Sequence, residues 1–245
     1  MLTPSIYARA LVLKEVFQSL PKPEVLVDAG FGSGFHLLQI DATRKIGLDI
    51  HPPLQRDIQC IKCDLRFIPL KSKACDFLMS LDVIEHIEED AEVVFEFHRV
   101  LDDGGVLVIT TPNDSEFIPY RPLRVMFGLD TSKIHRWWGH VRPGYSKSQL
   151  TALVERHGFE VIHYRRIGES WVRVLGLGYI LLLKLGEYVY SPEQRVQQFR
   201  KGGGLTRRLE RTHDFLFSLL LAPIIKRMEK RGDNGFWHLI ACKRI

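Results

Sequence analysis

The chain has 245 residues, 45% hydrophobic and 26% charged, which suits one α/β domain with an elaboration and excludes a disordered chain. Its net charge is +5, and it has four cysteines and no secretory leader, so a reducing, cytoplasmic setting is expected rather than a disulfide framework. No apolar run reaches the roughly 18–20 uninterrupted residues of a membrane-spanning helix.

Residues 4–20 carry Leu11, Val12, Val16, Phe17 and Leu20 at helical spacing, which predicts a helix that packs on or covers a ligand site. The run Val25-Leu26-Val27-Asp28-Ala29 then reads as a buried strand that stops at Gly30, Gly32 and Gly34. Glycines there allow a sharp turn and let backbone N–H groups approach a ligand. Asp28, just before the turn, is placed to hold a ligand that carries a cation. Phe35 to Ile40 is expected to start a helix whose positive end faces the same ligand. A dinucleotide fold would need G-x-G-x-x-G/A, and the sixth position from Gly30 is Phe35. Two further strands follow, at Lys45–Ile50 and Cys60–Leu65, closing near Asp49 and Asp64, and Cys75–Ile87 reads as a fourth strand with the loop beyond it, which holds Asp82. Val100–Asn113 reads as a helix end, a glycine turn and a fifth strand. Cys60 and Cys63 form a lone C-x-x-C on opposite strand faces, better explained as small buried residues than as a zinc site.

The spacing D-x-G-x-G-x-G at Asp28–Gly34 resembles motif I of the class I S-adenosylmethionine (SAM)-dependent methyltransferases. The strand-end acids resemble that family's later motifs, in the same order, over roughly residues 25–165 plus a last strand near the C-terminus. The chain is similar to the methyltransferase-11-like group. The resemblance implies a three-layer Rossmann-like α/β fold, with a mostly parallel seven-stranded sheet and an antiparallel last strand. It also implies SAM as cofactor. Asp28, Gly30, Gly32 and Gly34 would hold its methionine part and Asp49 its ribose. Asp64 would reach the adenine amino group, the Leu65 backbone would lie beside the ring, and Leu81 would line the pocket.

Beyond that core, Pro112–Tyr145 lacks clear periodicity, and long irregular segments in compact domains are usually functional. Ser146–His157 reads as a helix with a Ser146/Gln149 capping box and Gly158 at its end. Phe159–Tyr164 and Gly235–Arg244 read as the sixth and seventh strands. The chain is therefore expected to be one domain over residues 1–245, with substrate-side insertions at about 112–145 and 166–234. From Arg165 to Asp233 there are 14 Lys and Arg against 7 Asp and Glu, a net +7, so the rest of the chain carries −2. This basic stretch also holds two apolar runs, Val174–Leu183 and Phe215–Ile225. The pairing suits a segment, 171–231, that docks on an anionic membrane surface. It predicts a protein peripheral at the inner membrane face and no nucleic-acid partner. The plainer alternative is two core helices or a dimer contact, and the oligomeric state stays open.

Methyl transfer from a sulfonium asks mainly for alignment of the acceptor, with a base if the acceptor is a hydroxyl. His86 is the first candidate base, followed by His135 and His140 in Ile134–Arg142, a segment whose Trp137, Trp138, Arg136 and Arg142 suit binding of a phosphate or carboxylate on the acceptor. Each histidine has the plainer reading of a backbone cap. Asp82-Val83-Ile84-Glu85-His86 is similar to the E-x-x-E-H of ubiquinone-pathway O-methyltransferases, whose side chains bind a divalent metal, but metal-free relatives hold a similar Glu-His pair. Whether a metal is used is unknown at this level. The preferred chemistry is O-methylation of a lipid-like or lipid-linked glycan acceptor. A soluble small-molecule methyltransferase and a non-catalytic SAM-binding protein are the alternatives.

Overall fold

The computed structural model describes residues 4–53, 58–114, 139–167, 223, 225 and 237–245. The strands are β1 (Val25–Ala29), β2 (Arg44–Asp49), β3 (Gln59–Lys62), β4 (Cys75–Leu81), β5 (Leu101–Pro112), β6 (Phe159–Ile167) and β7 (Trp237–Arg244). The helices among the described residues are α1 (Pro4–Gln18), α2 (Phe35–Gln39), α3 (Asp90–Val100) and α4 (Lys147–Glu155), with a 3-10 turn at Ile84–His86. The strands form one sheet in the order β3-β2-β1-β4-β5-β7-β6. β1 pairs in parallel with β2 and β4, β2 with β3, and β4 with β5. β7 runs antiparallel to β5. This is the expected Rossmann-like α/β architecture, with its antiparallel late strand.

The chain divides into two compact units, Met1–Leu13 with Ile167–Gly235 and Lys14–Arg166 with Phe236–Ile245. The site described below lies wholly in the second. The two apolar runs, His135, Trp137 and Trp138 fall outside the described residues, Pro223 and Ile225 excepted. Among the described residues no helix is long and apolar enough to cross a membrane.

The core follows from strand alternation and one helical stripe. On α3, Val93, Val94, Phe97 and Val100 are fully buried, while Phe95 on the opposite face is 59% exposed. They join Leu78, Leu107, Ile109 and Ile240 of the sheet in one cluster. Burying each such side chain stabilises the fold by about 1.5–3 kcal/mol. Polar groups fix the edges of this core. The Asp76 carboxylate accepts from the Glu24 and Val25 amides (2.8 and 2.6 Å) and so pins the start of β1. Glu96 accepts from the Ile68 amide (2.8 Å), and Arg99 donates to the Ile68 and Leu70 carbonyls. That pair ties the loop after β3 onto α3, and the Arg99 guanidinium holds the Glu96 carboxyl below the usual range.

Local sequence signals fare unevenly. The capping box is present: Gln149 N–H donates to Ser146 Oγ (3.2 Å) and Ser146 N–H to Gln149 Oε1 (2.7 Å). Gly158 closes the segment at φ +80°. The helix after the glycine loop is shorter than expected. It is the single turn Phe35–Gln39, because the backbone turns extended at Ile40 to reach β2. A one-turn helix has little dipole to aim at a ligand. β3 ends at Lys62, so Cys63, Asp64 and Leu65 lie on the loop beyond it. Cys60 and Cys63 are half-buried free thiols rather than core residues.

Candidate functional site

The carboxyl ends of β1, β2 and β4 enclose a cavity of about 520 Å³, within the size range of small-molecule sites. Its walls include Gly30, Asp49, Ile50, Asp64, Leu65, Asp82, Val83 and His86. Of the expected cofactor residues, Gly30, Asp49, Asp64 and Leu65 line it. Asp28, Gly32, Gly34 and Leu81 are not among its lining residues.

The glycine loop supplies space more than donors. Gly30, Gly32 and Gly34 have φ of +83°, +51° and +75°, a region that favours glycine. Their amides are committed within the protein: Gly30 to Leu48 O (2.7 Å), Gly34 to Phe31 O (2.8 Å) and Gly32 to Asp49 Oδ2 (3.0 Å). A Cβ on Gly30 would sit 2.4 Å from a Val83 methyl, whereas one on Gly32 would meet nothing within 4 Å. The loop thus leaves open space at Gly32.

Charge in and behind the cavity is one-sided. Asp49, Asp64, Asp82, Glu88 and Glu89 line it against one guanidinium, Arg66. Beneath them Asp28 is 2% exposed, and its Oδ1 has no hydrogen-bond partner among the described residues. Burial, reinforced by the Asp49 charge, raises the Asp28 carboxyl well above the usual range. An orphaned buried carboxylate under an acidic cavity fits a ligand that brings positive charge. S-Adenosylmethionine, with its sulfonium and ammonium, is such a ligand.

Asp64 has a partner that the sequence did not reveal. Arg66 Nε and a terminal nitrogen of Arg66 (2.7 Å) grip its carboxylate, and the Arg66 amide donates to it at 3.0 Å. These bonds hold the Asp64 carboxyl below its ordinary range. Arg66 also reaches Glu89 (2.9 Å), joining the loop after β3 to the loop after β4. The i,i+2 spacing of Asp64 and Arg66 was the only sequence signal for this bridge.

The loop after β4 carries the reactive candidates. Asp82 opens it at φ +55°, and its Oδ1 accepts from Thr110 Oγ1 at 2.8 Å. Glu85 is fully buried and accepts from Thr111 Oγ1 at 3.1 Å. His86 Nδ1 lies 3.0 Å from the Gly139 carbonyl. A carbonyl only accepts, so Nδ1 carries the proton and neutral His86 keeps a lone pair on Nε2. The His140 ring stands edge-on to His86, with centroids 4.6 Å apart. Of the three candidate histidines, His86 and His140 are therefore together.

Segment 139–145 is fastened to this loop. Val141 N–H donates to Glu85 O (3.0 Å), and Arg142 donates to the Ile87 and Glu88 carbonyls (3.0 and 2.8 Å). Arg142 also meets the Asp90 carboxylate and the Tyr145 hydroxyl. Thr110 and Thr111 were missed by sequence reasoning, and no local pattern marks them, while Arg142, expected to meet an acidic group of the acceptor, is instead engaged by Asp90 and these carbonyls.

Comparison with known proteins agrees with this geometry. Residues 27–109 match a family model described as a methyltransferase domain. The chain is 32% identical over 147 residues to a probable S-adenosylmethionine-dependent methyltransferase of Mycolicibacterium smegmatis, covering 56% of this chain. It spans only about half (52%) of that relative's own length. Among solved structures, phosphoethanolamine N-methyltransferase 2 of Haemonchus contortus superposes with a TM-score of 0.56 at 17% identity, covering 100% of this chain and 54% of that one. An S-adenosylmethionine-dependent methyltransferase of Mesorhizobium loti gives a TM-score of 0.52 at 16% identity, over 94% and 96% of the two chains. At these identities the structures speak for the fold. Residues 27–109 thus match a methyltransferase domain, and the motifs at the strand ends within them are similar to those of the class I SAM-dependent methyltransferases.

Proposed function

We propose that the chain transfers a methyl group from SAM to an acceptor seated beside His86 and His140, and that the acceptor is amphiphilic. The observation that carries the first half is the acid-lined cavity of about 520 Å³, with His86 in its wall and the orphaned Asp28 beneath it. SAM supplies an activated methyl on a sulfonium. The chain's residues hold and orient it. Asp49 is placed for the ribose, and its carboxylate exchanges the Gly32 and His51 amides (3.0 and 2.8 Å) for hydroxyl donors. Ile50 and Leu65 offer apolar surface to a purine ring. Asp28 accepts from the methionine end. His86 Nε2 takes the proton of an acceptor hydroxyl as the oxygen receives the methyl, a role worth about 10²–10⁴ in rate. Alignment of the two partners contributes more, on the order of 7–11 kcal/mol.

The amphiphilic acceptor rests on composition. The net +7 between Arg165 and Asp233, interleaved with two apolar runs, is what a segment meeting an anionic lipid surface needs. The experiment is transfer from methyl-labelled SAM into whole-cell extract, split into organic-soluble, aqueous small-molecule and macromolecular fractions. Label in the organic fraction is expected. Label confined to the aqueous small molecules would replace the lipid acceptor with a soluble one. Label in the macromolecular fraction would move the acceptor to a polymer. A chain that binds no SAM would overturn the whole proposal.

A further inference from the structure

We infer that Glu85, His86 and His140 form a site for one borderline divalent cation of the zinc, cobalt or ferrous type. A donor atom from each of the three lies within 4.8 Å of the other two. Ligands about 2.0–2.2 Å from such an ion stand roughly 3–4 Å apart. The three donors thus stand within roughly 1–2 Å of the spacing that an ion would draw them to.

The surroundings are those of a built ligand set. Metal-bound histidines commonly give their other ring N–H to a carbonyl, and metal-bound carboxylates are themselves hydrogen-bonded. His86 Nδ1 donates to Gly139 O at 3.0 Å, and Thr111 Oγ1 donates to Glu85 at 3.1 Å. The two strands of chain that supply the ligands are fastened by Val141 N–H to Glu85 O and by Arg142 to Ile87 O and Glu88 O. His140 is thus held opposite Glu85 and His86 although it lies over 50 residues along the chain.

The donor set decides the ion. Two imidazoles and one carboxylate suit zinc, cobalt or ferrous iron, whereas magnesium and calcium want oxygen. The set also differs from Asp82, Glu85 and His86, which the E-x-x-E-H resemblance implied. Asp82 stands outside the cluster, with its carboxylate on Thr110. An ion bound here occupies the lone pair that makes His86 a base. The two are alternative states of the wall, and ion binding does not depend on the methyl-transfer proposal.

The test uses the full chain, stripped with chelator and dialysed. Zn²⁺ and Mg²⁺ are titrated by calorimetry, and Co²⁺ by its visible absorption. One Zn²⁺ or Co²⁺ per chain is expected, with no Mg²⁺ signal. His140→Ala and Glu85→Gln are each expected to weaken Co²⁺ by about 100-fold or more, given that even outer-shell partners contribute about 10–100-fold. Asp82→Asn is expected to leave binding unchanged, as is a Cys60→Ser/Cys63→Ser pair, which removes the other candidate chelate. Thermal melts confirm that each variant folds. Full Co²⁺ affinity in folded His140→Ala, loss of binding in Asp82→Asn or in the cysteine pair, or no binding by the parent chain would each overturn the site.

Discussion

The two walls of the cavity are built by different means. The cofactor-side wall comes from short stretches at strand ends: Asp28–Gly34 after β1, Asp49–His51 after β2 and Asp64–Arg66 after β3. Some of its polar contacts span two residues, as Asp64 with Arg66 and Asp49 with His51, and others join neighbouring strand ends, as Gly30 with Leu48 and Gly32 with Asp49. The wall after β4 is held from far along the chain. Thr110 and Thr111 fix Asp82 and Glu85, Gly139 fixes His86, and Arg142 fixes Ile87, Glu88 and Asp90. One wall keeps an orphaned carboxylate that a ligand completes. The other is nearly complete in itself.

The difference can be tested where it is strongest. Gly144 has φ +137°, and a Cβ there would lie 2.2 Å from the Pro112 carbonyl oxygen. The backbone cannot yield, because Tyr145 N–H donates to that oxygen (3.0 Å) and Asp114 N–H donates to Tyr145 O (3.1 Å). Gly144→Ala is expected to cost about 3–4 kcal/mol, at the upper end for a single substitution, read by chemical denaturation. A loss below about 1 kcal/mol would mean the distal segment is only loosely seated.

Arg142→Ala comes next. It removes the donors on two carbonyls and the cation beside the half-buried Asp90 carboxylate, which keeps only the Tyr145 hydroxyl as a side-chain donor among the described contacts. About 2–3 kcal/mol of stability should go, in line with the cost of unsatisfied buried partners. Turnover should fall further than SAM affinity, because His86 moves while the glycine loop stays. Equal losses in both would show that the two walls are not separable.

Asp28→Asn probes the cofactor-side wall. Replacing the charge should weaken SAM by about 10–100-fold, the worth of a charged hydrogen bond, read by calorimetry. Stability should move the other way. The Asp28 carboxyl is raised in the folded chain, so its contribution is fully present below the ordinary value of 3.8 and is lost as pH rises through the raised value. At pH 8 the asparagine variant should therefore melt above the parent when no ligand is present. SAM affinity of the parent should rise with pH over the same window, as the carboxylate forms. The variant should show a flat profile. A parent whose affinity ignores pH would place the methionine end elsewhere.

The same contrast explains what the sequence revealed. Glycine turns, strand-end acids and the Ser146 cap are local, and each was visible as a pattern of a few residues. The first four strands were visible through the acids near their ends, and the last three as apolar runs set off by glycine turns or helix signals. The clamp of Arg142 was not, because its partners at 87–90 share no pattern with it. The start of α2 at Phe35 was visible in the same way, but its end was not, because the short link back to β2 rather than the apolar run decides its length. Arg66 on Asp64 was not legible either, because an acid and a base two residues apart pair only when the loop between them folds back, and the sequence does not show that turn.

The smallest expected effect is the most local one. Ser146→Ala removes the hydroxyl that caps the Gln149 amide at the start of α4 and should cost about 1 kcal/mol. α4 buries Leu150 and Val154, which join the core cluster that holds Phe97 of α3. The loss should therefore appear as a lower midpoint with unchanged denaturant slope. Neither wall of the cavity uses this cap, so SAM affinity should stay within error of the parent. A fall in affinity alongside the stability loss would mean that helix seating reaches the cavity through α3. The sharp separation between a local frame and a distal clamp would then have to be redrawn.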